Sequence, residues 1–354
     1  MGVHFMAGFV RVAVVVFCLS ISASSTIAQE LRISHHFPQT VDARDRASRI
    51  FAEELQLRAP ELKVSVHPKL SLGLQRDEQL DRLQAGTLEM AVFPLVYGVK
   101  KIPEFSLALL PGLIPSAQAI QALKGSAVHE RLQEIAEANG LHIVTWWWLR
   151  GGFVSTSRQI SGPDSVANLK LRGGDRLYQM MLRGAGALPV DLPSGQIHGA
   201  LKSGTIDGAL TSFENVLSLR LYEQAKFATF GSNSLWTYFT PLLISKKVWD
   251  GLTEEQRLAM AAAAEIADAF FEATQRDVAK RALLAFRKAG VKVRQLTHAD
   301  YIAWLQIAQR TAWVEYAKMS PEAGALIFGT IRVLLEEFAT KEYLKDSSFD
   351  DDEK

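Results

Sequence analysis

The sequence predicts an α/β fold, because segments of alternating apolar residues are followed by segments whose apolar residues recur at helical spacing. Residues 31–34 alternate and predict a first strand. In residues 41–58 the apolar positions recur three or four residues apart, which predicts a helix that ends before Pro60. Residues 63–67 alternate again. The chain therefore opens on a strand, a helix and a strand, the order from which mostly parallel sheets are built.

The same succession continues along the chain. A helix is predicted over residues 75–84, closed by Gly86, and a buried strand over residues 90–93. A second unit begins near Trp146. Its strands are predicted at 141–148, 170–172, 188–190 and 237–245, and its helices at 175–183 and 194–203.

The longest predicted helix covers residues 253–288. Thr253 and Gln256 have the spacing of a capping box at its first turn, and Gly290 follows its last turn, where glycine commonly ends helices. This helix is far longer than the mean of about 11–12 residues in globular proteins. We therefore expect it to connect or brace domains.

Length and composition exclude several classes of protein. With 48% hydrophobic and 22% charged residues, the 354-residue chain is neither disordered nor collagen-like, and its length predicts about two domains. The 39 basic and 38 acidic residues give no electrostatic reason to expect a nucleic-acid partner. The single cysteine, Cys18, excludes a disulfide framework and any cysteine-based metal site.

Residues 1–28 have the pattern of a secretory signal peptide. They contain no acid, an apolar core over residues 12–21 and the small-x-small ending Thr26-Ile27-Ala28. This core is shorter than the roughly 20 residues that span a bilayer, so a membrane anchor is the less favoured alternative. We expect an exported, periplasmic protein that loses Cys18 with its leader, and a disordered polar tail at residues 346–354.

A search for catalytic motifs gives no candidate. Residues 184–189 begin like a dinucleotide-binding loop but place Pro189 where that motif requires glycine. Neighbouring residues of a strand point to opposite faces, so His35 and His36 make a poor metal pair and are expected to be loop histidines without a role. The aspartate and glutamate residues form no obvious pair for general acid–base catalysis. The sequence predicts no enzyme activity, no cofactor and no metal.

Two features are candidates for ligand binding. Trp146, Trp147 and Trp148 are consecutive; on a strand the first and third would share a face. Trp148 is nearest the strand end and is the candidate for a ligand wall, with core packing as the alternative. Arg172 ends a predicted strand beside a glycine pair, where a guanidinium can hold a carboxylate bidentately. An ordinary surface arginine is the alternative.

Several blocks form a joint pattern. They are Gly162-Pro163-Asp164, Leu169-Lys170-Leu171-Arg172, Gly186-Ala187-Leu188-Pro189-Val190 and a block over 196–208 that ends in Thr205-Ile206-Asp207-Gly208. Further blocks lie at 86–91, 109–113, 221–224, 244–249 and 252–256. Together they resemble the extracytoplasmic solute-binding proteins of TRAP transporters, the DctP-like family. The likeness extends over nearly all of residues 29–300.

The resemblance implies a fold. It is a two-lobed periplasmic binding protein of the type II, Venus-flytrap kind, with a ligand cleft between the lobes and a long helix that spans both. The expected first lobe is 29–149 with 238–278, and the expected second lobe is 150–237 with 279–345.

The resemblance also implies site residues. In the family, the arginine of the Leu-Lys-x-Arg block forms a salt bridge with the ligand carboxylate, and Arg172 occupies that position. A residue just after the Asp-Gly block and an aromatic residue two further on line the pocket. These positions hold Thr211 and Phe213, and the position after the strand at 90–93 corresponds to Phe93 or Pro94.

The chain departs from the family pattern at two points. Many members carry a second arginine in a Gly-x-Arg element before the main one; here Gly152 and Phe153 stand there, with Arg150 just before them. Gln196 stands where the family usually has glutamate. Both departures leave the identity of the ligand open.

The sequence therefore predicts the periplasmic component of a TRAP transporter, which closes on a small organic acid. As a monomer, it would deliver this acid to one small and one large membrane subunit. Phe93, Trp148, Phe213 and Trp236 would line the cleft, which favours an apolar or aromatic acid over a sugar acid. An ABC-type binding protein and an exported α/β hydrolase or lyase acting on an organic acid are the alternatives.

Overall fold

The structure is a computed structural model that describes residues 1–2, 29–231 and 233–339. Apart from its first two residues, the predicted leader lies outside the described residues, as do Cys18 and the tail expected at 346–354. Within the described ranges, no helix combines the length and the apolar character that a membrane span requires.

Strands and helices alternate along most of the described chain, as predicted. The strands are β1 (Gln29–Ser34), β2 (Leu62–His67), β3 (Met90–Val92), β4 (Leu141–Ile143), β5 (Trp148–Ser155), β6 (Lys170–Arg172), β7 (Leu188–Val190), β8 (Gly208–Ser212), β9 (Phe227–Phe230), β10 (Trp236–Phe239), β11 (Leu242–Ser245) and β12 (Lys292–Gln295). The helices are α1 (Ala43–Arg58), α2 (Glu78–Ala85), α3 (Ala117–Leu123), α4 (Ala127–Ala138), α5 (Arg176–Gly184), α6 (Ile197–Ser203), α7 (Phe213–Ser218), α8 (Lys246–Asp250), α9 (Glu254–Lys288), α10 (His298–Ala308), α11 (Val314–Ala317) and α12 (Pro321–Ala339).

The described strands form two sheets. The first has the order β2-β1-β3-β11-β4, and the second has the order β12-β9-β5-β8-β6-β7 with β10 paired to β5. The prediction of mostly parallel sheets is wrong: β11 is antiparallel to β3 and β4, and β5 is antiparallel to β8, β9 and β10. The chain crosses from the first sheet to the second between β4 and β5, and it crosses back between β10 and β11. Because the two crossings run in opposite directions, β10 is antiparallel to β5 and β11 is antiparallel to β4.

The crossings also divide two predicted strands. The strand expected at 141–148 is interrupted over 144–147, and the strand expected at 237–245 is interrupted at Thr240 and Pro241. Proline has no N–H for the ladder, which explains the second interruption. The paired strands β5 and β10 continue from these interruptions; we call this two-stranded element the ribbon.

Helix α9 contributes buried residues to both hydrophobic cores. Its predicted capping box is confirmed, because the Thr253 side chain accepts from the Gln256 N–H and the Gln256 side chain accepts from the Thr253 N–H. Met260, Ala267 and Phe271 belong to the larger core, whereas Val278 and Phe286 belong to the smaller one. At 35 residues the helix is about 50 Å long, which is enough to brace both sheets.

The assignment of segments to lobes remains a proposal, and the packing of α12 bears on it. This helix packs against α3 and α4, and α4 also packs against β4 of the first sheet. We therefore place residues 321–339 with the first lobe rather than the second.

Candidate functional site

Strand β6 places Arg172 at its C-terminal end, between the parallel strands β7 and β8. The side chain is 7% exposed. Gly174 follows with a φ of +93°, and a Cβ built on it would lie 2.8 Å from Arg172 Nη1. The second position after the strand therefore favours glycine, both for its backbone conformation and for the space that the guanidinium occupies.

The guanidinium of Arg172 is held by backbone carbonyls. Its Nε donates to Leu192 O at 3.2 Å and its Nη1 donates to Leu210 O at 3.3 Å. No carboxylate of the described residues lies within ion-pair distance of it. Burial lowers the pKa of Arg172, because removing a cation from water without a counter-ion disfavours the charge. An anion that enters here would relieve this cost.

Arg172 opens on a cavity of about 420 Å³ with walls from loops of both sheets and from the ribbon. His36, Phe37 and Tyr97 come from the first-sheet side, Asp175 and Asn215 from the second, and Trp236 and Tyr238 from β10. A cavity of this size is within the range of small-molecule sites.

The ribbon supplies a flat aromatic surface to this cavity. Trp236 and Tyr238 are two residues apart on β10 and therefore share a face. Their ring centroids are 5.2 Å apart and their planes differ by 1°. A surface of two stacked rings favours a ligand with an apolar or planar part.

Two further arginines line the cavity but differ in their partners. Arg44 is paired with Asp42 at 2.7 Å and lies 3.6 Å over the Phe37 ring, so its charge is already satisfied. Arg76 Nε is buried and has no hydrogen-bond partner among the described residues. Arg172 and Arg76 are therefore the two cations in this cavity that remain available to an anion.

Asp175 adds an acid beside Arg172. Its Oδ1 accepts from the N–H groups of Leu177 and Tyr178 at the start of α5, whereas its Oδ2 is buried with no partner in the described part of the chain. Burial raises the pKa of Asp175 to about 7, against the opposing effect of those two hydrogen bonds. The charge of this cavity therefore changes near neutral pH.

A buried polar cluster fixes the loop that carries His36 and Phe37. His35 Nδ1 accepts from the Phe37 N–H at 3.2 Å, and its Nε2 lies 3.2 Å from Asp45. Asp45 also accepts from Arg49 Nε at 2.9 Å and from the Thr40 N–H at 2.7 Å. Burial alone would raise the pKa of Asp45, but these hydrogen bonds outweigh it and hold the pKa well below its usual range.

This cluster makes Asp45 a determinant of acid stability. A carboxyl whose folded pKa is depressed contributes stability above its unfolded pKa, and that stability is lost as the pH falls. We expect Asp45→Asn to lower the unfolding free energy by about 3 kcal/mol near neutral pH and to flatten its decline between about pH 5 and pH 2, measured by urea denaturation. Asp164→Asn, at an exposed position, is the control. An unchanged acid profile in Asp45→Asn would contradict this role.

The structure separates the predicted site residues. Arg172 and Trp236 line the large cavity. Trp148, Arg150 and Phe213 line a different cavity of about 180 Å³. Phe93, Phe153 and Thr211 are almost fully buried, at 1%, 2% and 0% exposure, and line neither of these cavities. Of the expected wall of Phe93, Trp148, Phe213 and Trp236, only Trp236 lines the large cavity, and Pro94, the alternative to Phe93, lines it as well.

The two faces of the ribbon explain this separation. Paired residues of antiparallel strands point to the same side. Trp148 pairs with Phe239 and Arg150 with Thr237 on one face, whereas Gly151 pairs with Trp236 on the other. The large cavity and the smaller one thus lie on opposite faces of the same two strands.

Several lining residues were not among the predicted site residues. His35 orders the loop by accepting from the Phe37 N–H, and His36 lines the cavity 5.7 Å from the Tyr97 ring. Asn215 lines the cavity and donates to Thr211 Oγ1 at 3.0 Å, so Thr211 is one residue removed from it.

Comparison with known proteins identifies the family to which this chain belongs. The model of the family described as "Bacterial extracellular solute-binding protein, family 7", also named DctP, matches residues 41–319. The chain belongs to this family. A "Solute-binding protein" of Albidiferax ferrireducens is 34% identical over 304 residues, which cover 84% of this chain and 89% of that relative. The C4-dicarboxylate-binding periplasmic protein DctP of Rhodobacter capsulatus is 23% identical over 247 residues, covering 69% and 73%.

Solved structures agree with the family-7 assignment. A TRAP periplasmic solute-binding protein from Rhodoferax ferrireducens, crystallised with malonate, is 32% identical with a TM-score of 0.82, and the match covers 87% of this chain and 99% of that one. A TRAP solute-binding protein from Sulfitobacter, crystallised with β-D-galacturonate, has a TM-score of 0.76 at 19% identity, covering 85% and 99%; it supports the fold alone. The predicted family and two-lobed fold are confirmed.

Proposed function

We propose that this family-7 protein captures a small organic acid in the cavity at Arg172, in the periplasm, and delivers it to the small and large membrane subunits of a TRAP transporter. One observation carries the proposal. Arg172 is a buried guanidinium that opens on a cavity of about 420 Å³, and no carboxylate of the described residues lies within ion-pair distance of it. The ligand would supply it, since a carboxylate matches the fork of donors that arginine presents.

The other walls narrow the class of acid. The Trp236–Tyr238 surface favours an apolar or planar body, and Arg76 offers a second group of donors. A short dicarboxylate or an aromatic acid fits this combination better than a sugar acid, whose hydroxyl groups need many polar partners. Because the relative from Rhodoferax ferrireducens was crystallised with malonate, malonate is the first acid to test.

The proposed mechanism is capture without chemistry. Walls from both lobes surround the acid, so its contacts are completed when the lobes close, and this closed form is what the membrane subunits would recognise. The relatives matched above are binding proteins, and we propose that this chain likewise binds its ligand without catalysing a reaction. We also propose that it acts as a monomer. A hydrolase or lyase would convert the bound acid, which proton NMR of the acid incubated with the protein would reveal.

The proposal is tested by melting the protein in the presence of malonate, succinate, phenylacetate and galacturonate, each beside its neutral amide. A ligand that binds the folded state raises the melting temperature, by an amount that grows with its concentration over Kd. We expect a shift for at least one of the first three acids and none for its amide. Equal shifts for acid and amide, or no shift for any acid, would refute carboxylate capture at this site.

Asp175 should make this capture depend on pH. Its pKa is raised to about 7 by burial, so the group is neutral at pH 6 and charged at pH 8. We expect the Kd for the acid to rise by about tenfold over this interval, because a second anion beside the ligand repels it. Calorimetric titration measures the effect. Asp175→Asn should abolish the dependence, whereas Asp191→Asn, at an exposed position on the same cavity, should preserve it. A slope that survives in Asp175→Asn would assign it to another group.

A further inference from the structure

The smaller cavity, behind the ribbon, has the composition of a second binding site. It measures about 180 Å³, and its walls come from Trp146, Trp148 and Arg150 on the ribbon side and from helices α3 and α9. Phe213, the first residue of α7, closes it from the second-sheet side. Its lining is separate from that of the cavity at Arg172, since the lining residues of the two cavities do not overlap.

Three donors in this cavity lack acceptors. Trp148 is 5% exposed, and its Nε1 is buried without a hydrogen-bond partner among the described residues. Gln275 Nε2, on α9, is likewise buried without a hydrogen-bond partner among the described residues. The half-buried side chain of Arg150 has no hydrogen bond or ion pair with any described residue, and its partial removal from water lowers its pKa. Buried donors are normally satisfied, so two of them beside an unpaired, half-buried guanidinium point to an acceptor from outside the chain.

The charges of the cavity indicate that this acceptor is an anion. Of the acids on α9, Asp268 is paired with Lys124 at 2.6 Å and accepts from the Trp146 N–H at 3.0 Å, and Glu272 is paired with Arg276. Glu265 is exposed to water. Among the described lining residues, the charge that remains uncompensated is therefore that of the half-buried Arg150, and a cation partly withdrawn from water without a partner is costly.

We infer that the cavity behind the ribbon binds a small carboxylate anion on Arg150, Trp148 Nε1 and Gln275 Nε2, independently of the cavity at Arg172. The guanidinium accounts for the charge and planar geometry of the ligand, and the indole and amide donors supply the remaining hydrogen bonds. Trp146, Phe213 and Phe271 surround the site with apolar surface, which limits it to acids with a short hydrocarbon part.

Water is the competing occupant of this cavity. The volume of the cavity exceeds the about 30 Å³ that one water molecule occupies, and water molecules would accept hydrogen bonds from Trp148 and Gln275. Water, however, leaves the charge of Arg150 without a counter-ion. A carboxylate satisfies all three groups at once, which is the reason to prefer it.

Fluorine NMR with difluoroacetate as the probe separates this site from the cleft. The background variant is Arg172→Gln, which removes the carboxylate grip of the large cavity. We expect difluoroacetate to bind this variant and to shift the indole N–H signal of Trp148, assigned with Trp148→Phe. Adding Arg150→Gln should weaken this residual binding by at least tenfold. Adding Arg281→Gln should not, because Arg281 is exposed on α9 beside Asp277 and lines neither cavity.

Each outcome decides the inference. Absence of binding to Arg172→Gln would overturn it, since the probe would then bind in the cleft or nowhere. Residual binding that survives Arg150→Gln, or that leaves the Trp148 signal unchanged, would also overturn it. Arg150→Gln removes a half-buried charge without a partner, so we expect this variant to fold. Its melting curve checks this, and Arg150→Lys, which retains the charge, should recover part of the binding.

Discussion

Replacement of Arg172 by lysine is expected to weaken binding of the organic acid by about tenfold to a hundredfold, and replacement by glutamine by more than a hundredfold. Lysine keeps the charge but loses the planar fork. The guanidinium donates to the carbonyls of Leu192 and Leu210 and has donors left for a carboxylate. A lysine ammonium group cannot donate to these two carbonyls and to both oxygens of a carboxylate as well. A lost charged hydrogen bond costs about 1.5–3 kcal/mol. Glutamine leaves the ligand charge buried without a counter-ion, which costs about 3–5 kcal/mol.

Calorimetric titration with the acid that gives the largest thermal shift measures both changes. Arg176→Gln is the matched control, since this arginine lies four residues away, is exposed and pairs with Glu315; its Kd should equal that of the wild type. The loss should appear in Kd with the melting temperature of the ligand-free protein retained. An unchanged Kd in Arg172→Gln would remove Arg172 from the binding site, whatever the other residues do.

The position of Arg172 at a strand end beside a glycine was predictable from the sequence because it depends on neighbouring residues, whereas its role as a ligand was implied by the family resemblance. Strands β6 and β7 have the predicted bounds of 170–172 and 188–190, and the glycine that the guanidinium requires is two residues further along the chain. A strand end followed by a glycine pair involves only a few neighbouring residues, so a short stretch of sequence predicts it. The capping box of α9 was predictable for the same reason, since both of its residues belong to one turn.

The aromatic wall was not predictable, because it depends on pairing between distant segments. Alternation correctly puts Trp148 and Arg150 on one face of β5. Which cavity this face meets is decided by β10, which pairs with β5 and brings Trp236 and Tyr238 to the opposite face. The position of His36 in the cavity wall depends likewise on distant segments, namely the contacts of His35 with Asp45 and of His36 with Tyr97, which a short sequence window does not show.

Gly151 is the position where the ribbon and the binding site constrain each other most tightly. It pairs with Trp236 on one side and with Ser212 on the other. A Cβ built on it would lie 1.8 Å from Thr211 O and 2.7 Å from Ser212 Cα. Both are atoms of the β8 backbone, so no rotation of a side chain relieves the collision. Strand β5 would have to separate from β8, and Ser212 and Asn215, which line the cavity at Arg172, would move with it.

Gly151→Ala is therefore expected to lower the unfolding free energy by about 3 kcal/mol, at the upper end of the usual cost of overpacking, and to weaken binding of the acid as well. Urea denaturation and calorimetric titration measure the two effects. Gly199→Ala is the matched control. This exposed glycine is inside α6, and no described atom outside its helix backbone and chain neighbours lies within 4 Å of a Cβ built there. Alanine should stabilise that helix by about 0.5–1 kcal/mol and leave Kd unchanged. If both variants proved equally stable, the close contact of β5 with β8 would not exist in solution, and the ribbon would not set the geometry of the cleft.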